Sequence, residues 1–210
     1  MISFLLGWSY FLSWSFSFYP QIYLNYKRKA ATGISKLFMM LNIIGFYTYS
    51  LYTLKATSLI SQSDKGFAFH ALIMSFIVYV QYMYYHGTSK MQLICLAAIL
   101  VLLHGVDIGY LGVIKLAITL CKYIPQVYAN FENQSTKGFS TTSVALDFNG
   151  GILSILQLFV DGYQLHLGFM EIIFGNFTKL GLGLVTIMMD SILLLQATKY
   201  KKDTIELLPK

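Results

Sequence analysis

The stretch Phe18-Tyr19-Pro20-Gln21-Ile22-Tyr23-Leu24-Asn25 is echoed by Tyr123-Ile124-Pro125-Gln126-Val127-Tyr128-Ala129-Asn130, 105 residues further along the chain. The register holds downstream without a gap, setting Gly33 on Gly138, Ser35 on Ser140, Leu41 on Leu146 and Gly45 on Gly150. Apolar residues coincide easily between any two greasy segments. Polar residues and glycines kept in step over this length do not, so the chain carries an internal duplication of the kind many transporters are built from.

The chain has 210 residues, 56% of them hydrophobic and 16% aromatic, with only 11% charged, against roughly 25% in an ordinary soluble domain. So few charges cannot cover a water-exposed surface. Apolar runs near 2–25, 36–56, 66–86, 91–106, 108–130, 141–161 and 178–199 approach the ~20 residues that cross a bilayer core. Four spans separate the starts of the two copies, so both keep one orientation and are related by an axis along the membrane normal. The expected fold is an all-α membrane protein of seven transmembrane helices, two parallel three-helix bundles joined by a linker helix. As a single transporter domain over 1–210, it has repeat one at about 1–86, the linker helix at about 91–106, repeat two at about 108–199 and a tail at 200–210.

Residues 1–20 hold no Lys or Arg, and the first basic cluster, Lys27, Arg28 and Lys29, follows the apolar run. A cleavable leader carries its charge in front, so the first run is expected to be retained. The positive-inside rule then sets the N-terminus in the lumen, and the basic loops and the C-terminus in the cytosol. The net charge of +6 is read as orientation charge and gives no reason to expect nucleic acid. Cys95 and Cys121 fall in apolar runs without metal-ligand spacing, and neither a cofactor fingerprint nor a zinc or serine-base arrangement points to an enzyme. No cofactor or metal is expected.

A proline in a spanning helix removes a backbone hydrogen bond and frees carbonyls that neighbours must satisfy. One Pro-Gln would be read as a kink; two at equivalent positions favour a paired gate, with Pro20 and Pro125 as hinges and Gln21 and Gln126 beside the pathway. Ionisable groups inside the membrane are functional candidates by default, and Lys115, Lys122, Asp147 and Asp190 qualify. The repeat register sets Asn42 opposite Asp147, an amide and an acid that together suit the charged ends of an amino acid. Asp147 is also the candidate proton acceptor. Lys115 and Lys122, seven residues apart, share a helix face. Lys122 has two readings, a side chain snorkelling to the interface or a substrate contact. Asp190 has two as well, a partner for Lys115 or a second proton site.

Several segments together resemble the cystinosin family of PQ-loop transporters. They are Phe18-Tyr19-Pro20-Gln21 with its basic cluster, Leu41-Asn42 before Gly45-Phe46, Ile114-Lys115 through Lys122-Tyr123 to Pro125-Gln126, Leu146-Asp147-Phe148 before Gly150-Gly151, and Thr178-Lys179-Leu180-Gly181. The resemblance implies the 3+1+3 plan shared with SWEET-like proteins, and proton-coupled symport of L-cystine out of a lysosome, vacuole or endosome. It implies Asn42, Lys115, Asp147 and Lys179 as substrate-site residues, Asp147, Asp190 and Asp64 as proton-coupling acids, and Pro20, Gln21, Pro125 and Gln126 as the gate. Leu37 replaces an acid frequent in the family, and Ser143 an asparagine. In the tail, Asp203-Thr204-Ile205-Glu206-Leu207-Leu208, an acid followed after three residues by a dileucine, resembles an acidic-dileucine signal, with Asp203, Leu207 and Leu208 as the contacts for a sorting adaptor. Two alternatives stand beside this reading: an exporter of a cationic amino acid from the same family, and a seven-helix receptor of the kind that retrieves proteins to the endoplasmic reticulum.

Overall fold

The computed structural model describes residues 2–55 and 60–206, with side chains as far as Tyr200. Every regular element among them is helical: α1 (Ile2–Phe16), α2 (Phe18–Arg28), α3 (Lys36–Lys55), α4 (Gln62–His86), α5 (Lys90–His104), α6 (Ile108–Glu132), α7 (Thr141–Gln164), α8 (Phe169–Gly175) and α9 (Phe177–Glu206). Five of these, α3, α4, α6, α7 and α9, are long and apolar enough to cross a membrane, and α5 is a shorter apolar helix. The tail residues Leu207 and Leu208, and the side chain of Asp203, lie outside the described residues.

Polar residues at the chain reversals set the helix starts. Ser61 accepts from the amide of Asp64 while Asp64 accepts from the amide of Ser61, a capping box that starts α4 four residues earlier than hydropathy alone suggests. Ser89 and Gln92 do the same for α5. Asp107 accepts from the amide of Gly109 at 2.8 Å and opens α6, so the ambiguous His104-Gly105-Asp107 break is a true helix boundary.

The first apolar run departs from the expected single helix over 2–25. It is interrupted at Ser17, four residues after Ser13 and three before Pro20. Pro20 has no N–H to offer the carbonyl of Phe16, and the Ser17 hydroxyl bonds back to the carbonyl of Trp14 at 2.7 Å, loosening the ladder. The second copy behaves differently: α6 runs through Pro125 without a break. The residue at the Ser17 position there is Lys122, whose long unbranched stem favours helix and makes no such back-bond.

In each half the third long helix lies between the first two. α4 packs on α1 and α3, and α9 packs on α7 and α6, while α1 and α3, or α6 and α7, do not pack on each other. The halves meet where α1 lies along α7 and α3 along α6, and α5 packs on α3 alone. An aromatic core of Tyr10, Trp14, Phe46, Tyr49 and Phe67 is buried among α1, α3 and α4, with Leu182 of α9 in the same cluster. Close approach is bought by small residues: a Cβ on Gly150 would strike the Trp14 indole, and one on Gly151 would sit 3.3 Å from the carbonyl oxygen of Gly183.

Candidate functional site

Between the halves lies a cavity of about 90 Å³ whose polar lining includes Ser17, Asn42, Lys122, Tyr123, Asp147 and Asp190, with Gln21, Ser75 and Ser143. Ordinary ligand sites measure about 300–1,000 Å³, so the cavity is small beside them. Lys122, only 6% exposed, directs its ammonium across the seam to Asn42 Oδ1 at 3.1 Å. The Tyr123 hydroxyl donates to Asp147 Oδ2 at 3.1 Å. Asp190 is buried within electrostatic reach of Asp147 and Lys122. Its Oδ2 has no hydrogen-bond partner among the described residues, and neither does the hydroxyl of Ser143 on the cavity wall. A buried polar atom left without a partner in a cavity wall is where a ligand or water is expected.

The main chain holds Asp147 in place. Trp14 Nε1 donates to the carbonyl of Asp147 at 2.9 Å, Ser13 donates to that of Leu146 at 2.8 Å, and Asn149 returns a bond to Ser13. The 105-residue register pairs Ser17 with Lys122 and Asn42 with Asp147. All four line one cavity, with the cation and the acid both supplied by the second half and their neutral counterparts by the first.

Lys115 and Lys179 are elsewhere. Lys115 is buried with its ammonium 4.0 Å from the Phe46 ring centre, a cation–π contact; Phe46 and Lys122 line the cavity and Lys115 does not. Lys179 lies at the end of the bundle far from the basic cluster. It pairs with Asp64 at 3.1 Å, the one ion pair among the described residues, and also bonds Gln157. Tyr10 donates to the same Asp64. Tyr10 and Asp64 belong to the first half, Gln157 and Lys179 to the second, so this cluster ties the halves together at the far end. Of the four substrate-site residues that the resemblance implies, Asn42 and Asp147 line the cavity, and Lys115 and Lys179 do not line it in this structure.

At the basic end the two Pro-Gln motifs reach across the seam reciprocally. Gln21 donates to the carbonyl of Gly138 at 3.0 Å and accepts from the amide of Ser140 at 2.7 Å. Gln126 donates to the carbonyl of Gly33 at 3.2 Å and accepts from the amide of Ser35 at 2.8 Å. Each glutamine also bonds the asparagine four residues on, Asn25 or Asn130, at 2.9 Å. These asparagines donate in turn to Gln81 and Gln196 on the third helix of their own half. Gly33 and Gly138 meet so closely that a Cβ on Gly33 would fall on the Gly138 backbone.

The model of the PQ loop repeat matches the chain twice, over residues 2–62 and 108–167. A cystinosin homolog of Dictyostelium discoideum is 36% identical, covering 93% of this chain and 80% of that protein. Cystinosin of Bos taurus is 33% identical over 93% of this chain. This chain is a cystinosin-type member of the PQ-loop repeat family. It spans 62% of the bovine protein's length. A cystine transporter of Saccharomyces cerevisiae is 31% identical, with 94% of this chain and 93% of that one covered. The two PQ-loop matches begin with α1 and α6 and take in one Pro-Gln each, so the repeat found in the family model is the one whose glutamines cross the seam.

Of the PQ-loop candidates read from sequence, Asn42, Asp147 and Asp190 converge on the cavity, Asp64 and Lys179 converge at the far end, and Gln21 and Gln126 converge on the opposite half's loops. Lys122 was the cavity cation that the sequence left between two readings. The signal that picks it out is the repeat register, which sets it on Ser17 beside the first Pro-Gln. Gln157 and Tyr10 carried no signal, since neither has a repeat partner of similar chemistry.

Proposed function

We propose that this cystinosin-type protein is a proton-coupled symporter that exports L-cystine from the lumen of a lysosome, vacuole or endosome to the cytosol by alternating access. Its seven spans are the α1–α2 rod, α3 and α4, the linker α5, and α6, α7 and α9. The observation that carries the reading is the cavity on the seam whose lining combines the Lys122 ammonium, bonded to Asn42, with the Asp147 carboxyl. Each end of cystine bears an ammonium and a carboxylate. A carboxylate fits Lys122 and the Asn42 amide, and an ammonium fits Asp147. The cavity lining holds two carboxyls against one lysine, so a proton on Asp147 or Asp190 balances it and links proton movement to substrate movement. The relatives' names, cystinosin and cystine transporter, agree with that substrate.

By the positive-inside rule the end with Lys27, Arg28 and Lys29 faces the cytosol. The glutamine staples then close the cytosolic side, and the Asp64–Lys179 cluster closes the lumenal side, with the prolines as hinges. A cationic amino acid would meet the repulsion of Lys122. A receptor for a peptide's terminal carboxylate would want arginine in the cavity, and the single arginine, Arg28, stands at the basic end.

The test is uptake of labelled cystine by cells that carry the protein at their surface, with Leu207 and Leu208 replaced by alanine to weaken adaptor-driven retrieval. Uptake that rises in mildly acidic medium and resists lysine and arginine as competitors is the expected result. Well-expressed surface protein without cystine flux would refute the substrate.

A further inference from the structure

The two staples at the basic end are matched bond for bond, but their surroundings are not. Beside Gln21, the guanidinium of Arg28 reaches across the seam and lies where a Cβ on Gly138 would be. Gly138 is thus held from two sides, its carbonyl by Gln21 and its open Cα face by Arg28. Its φ of +93° belongs to the region that glycine adopts readily. The 105-residue register puts Asn133 at the position of Arg28 in the second half. Asn133 is exposed and turns back on its own helix, donating to the carbonyl of Ala129 at 2.8 Å, and so does not cross the seam as Arg28 does.

Where a second arginine would lie there is a surface pocket of about 220 Å³, lined by Thr32, Gly33, Ile34 and Ser35 from the first half and by Gln126, Asn133 and Lys137 from the second; Lys137 is exposed at its rim rather than packed across the seam. Ile34 also lines the central cavity. One buried isoleucine and the Gln126 staple therefore separate the cavity from a recess already open to solvent. The seam beside Gln21 carries a long cation packed across it.

We infer that Arg28 braces only one of the two seams of this gate, and that the central cavity opens to the cytosol through the other, past Ile34 and Gln126. Arg28 is a positioning residue: it acts on the gate and touches no substrate. Opening costs the Gln126 seam two hydrogen bonds and the movement of Ile34. It costs the Gln21 seam the same two bonds and the withdrawal of Arg28 as well. The rocking motion therefore pivots on the Arg28 side. The cytosolic direction rests on the function proposed above, whereas the inequality of the seams does not.

Amide hydrogen exchange resolved to single residues, on the protein in lipid nanodiscs, tests this without any substrate. The reporters are the amide of Ser35, bonded to Gln126, and the amide of Ser140, bonded to Gln21. Their bond lengths are 2.8 and 2.7 Å, but Ser140 is buried and Ser35 half-buried, so the response of each rate to substitution decides the inference. The expected result is exchange at Ser35 faster by roughly fivefold or more. Arg28→Ala brings Ser140 up to the rate of Ser35, and Asn133→Arg, which supplies the missing brace, slows Ser35. Equal rates in the unsubstituted protein, or a Ser140 rate unmoved by Arg28→Ala, would overturn the inference. Absence of cystine flux would count against the transport reading and leave these rates to decide the brace on their own.

Discussion

The two ends of the seam are fastened by different chemistry. At the basic end, neutral side-chain amides bond to the main chain of the opposite half, twice and reciprocally. At the far end, a single ion pair with Tyr10 and Gln157 around it does the work, with no repeat of itself. Amides do not titrate, and their bonds to backbone depend little on salt or acid. A carboxylate and an ammonium respond to both. The duplicated ancestor explains the symmetric closure, and the end proposed to face an acidic lumen is the end where symmetry has been given up for charge.

The largest effect that separates the ends comes from one methyl group. Gly33→Ala drives a Cβ into the Gly138 backbone, which cannot yield, so the basic end fails to close and flux falls to under roughly a tenth of the unsubstituted protein at equal expression. Gly7→Ala, the matching probe at the far end, meets only the side-chain tips of Gln157 and Ser63 at 2.8 and 2.9 Å, and flux stays within about twofold. Similar losses in both variants would erase the distinction between a rigid and a yielding closure.

Next in size is the ion pair. Lys179→Ala leaves Asp64 buried without its cation and costs about 3–5 kcal/mol of stability, read by thermal unfolding in detergent. Exchanging both partners in Asp64→Asn with Lys179→Gln costs distinctly less, because no buried charge is stranded. A double variant as unstable as the single would mean that packing, not charge, holds the far end. The smallest effect lies in single staples: Gln21→Ala or Gln126→Ala removes hydrogen bonds worth about 1 kcal/mol each, speeding exchange at the partner amide, Ser140 or Ser35, by about tenfold. No change at those amides would show that the glutamines do not fasten the loops.

The duplication and its register were legible because polar residues and glycines, unlike leucines, seldom coincide by chance. That is why Gln21 and Gln126, and Asn42 and Asp147, could be paired before any coordinates. Less legible was the depth of a side chain. Lys115 and Lys122 share a helix face, yet Lys115 packs against the Phe46 ring while Lys122 lines the cavity, and only packing from α3 decides which one enters it. The break at Ser17 was hidden for a related reason: both copies have the same proline, and the difference lies in a serine back-bond on one side and a lysine stem on the other. Asp64 lies just before the apolar run at 66–86 in the sequence and in the first turn of α4 in the structure, where its capping carboxylate serves Lys179 and Tyr10 at the same time. Contacts across halves of this kind leave no periodic trace in the sequence.

In the transport proposed above, Asp147 is the group that joins substrate to proton in the cavity between the PQ-loop repeats. Whole-cell current carried on addition of cystine in mildly acidic medium, compared between the unsubstituted protein and Asp147→Asn at matched surface levels, tests it most directly. The amide keeps the shape and can still accept the Tyr123 bond, so the predicted result is a folded protein at the surface with no cystine-evoked current. An undiminished current from Asp147→Asn would contradict the account.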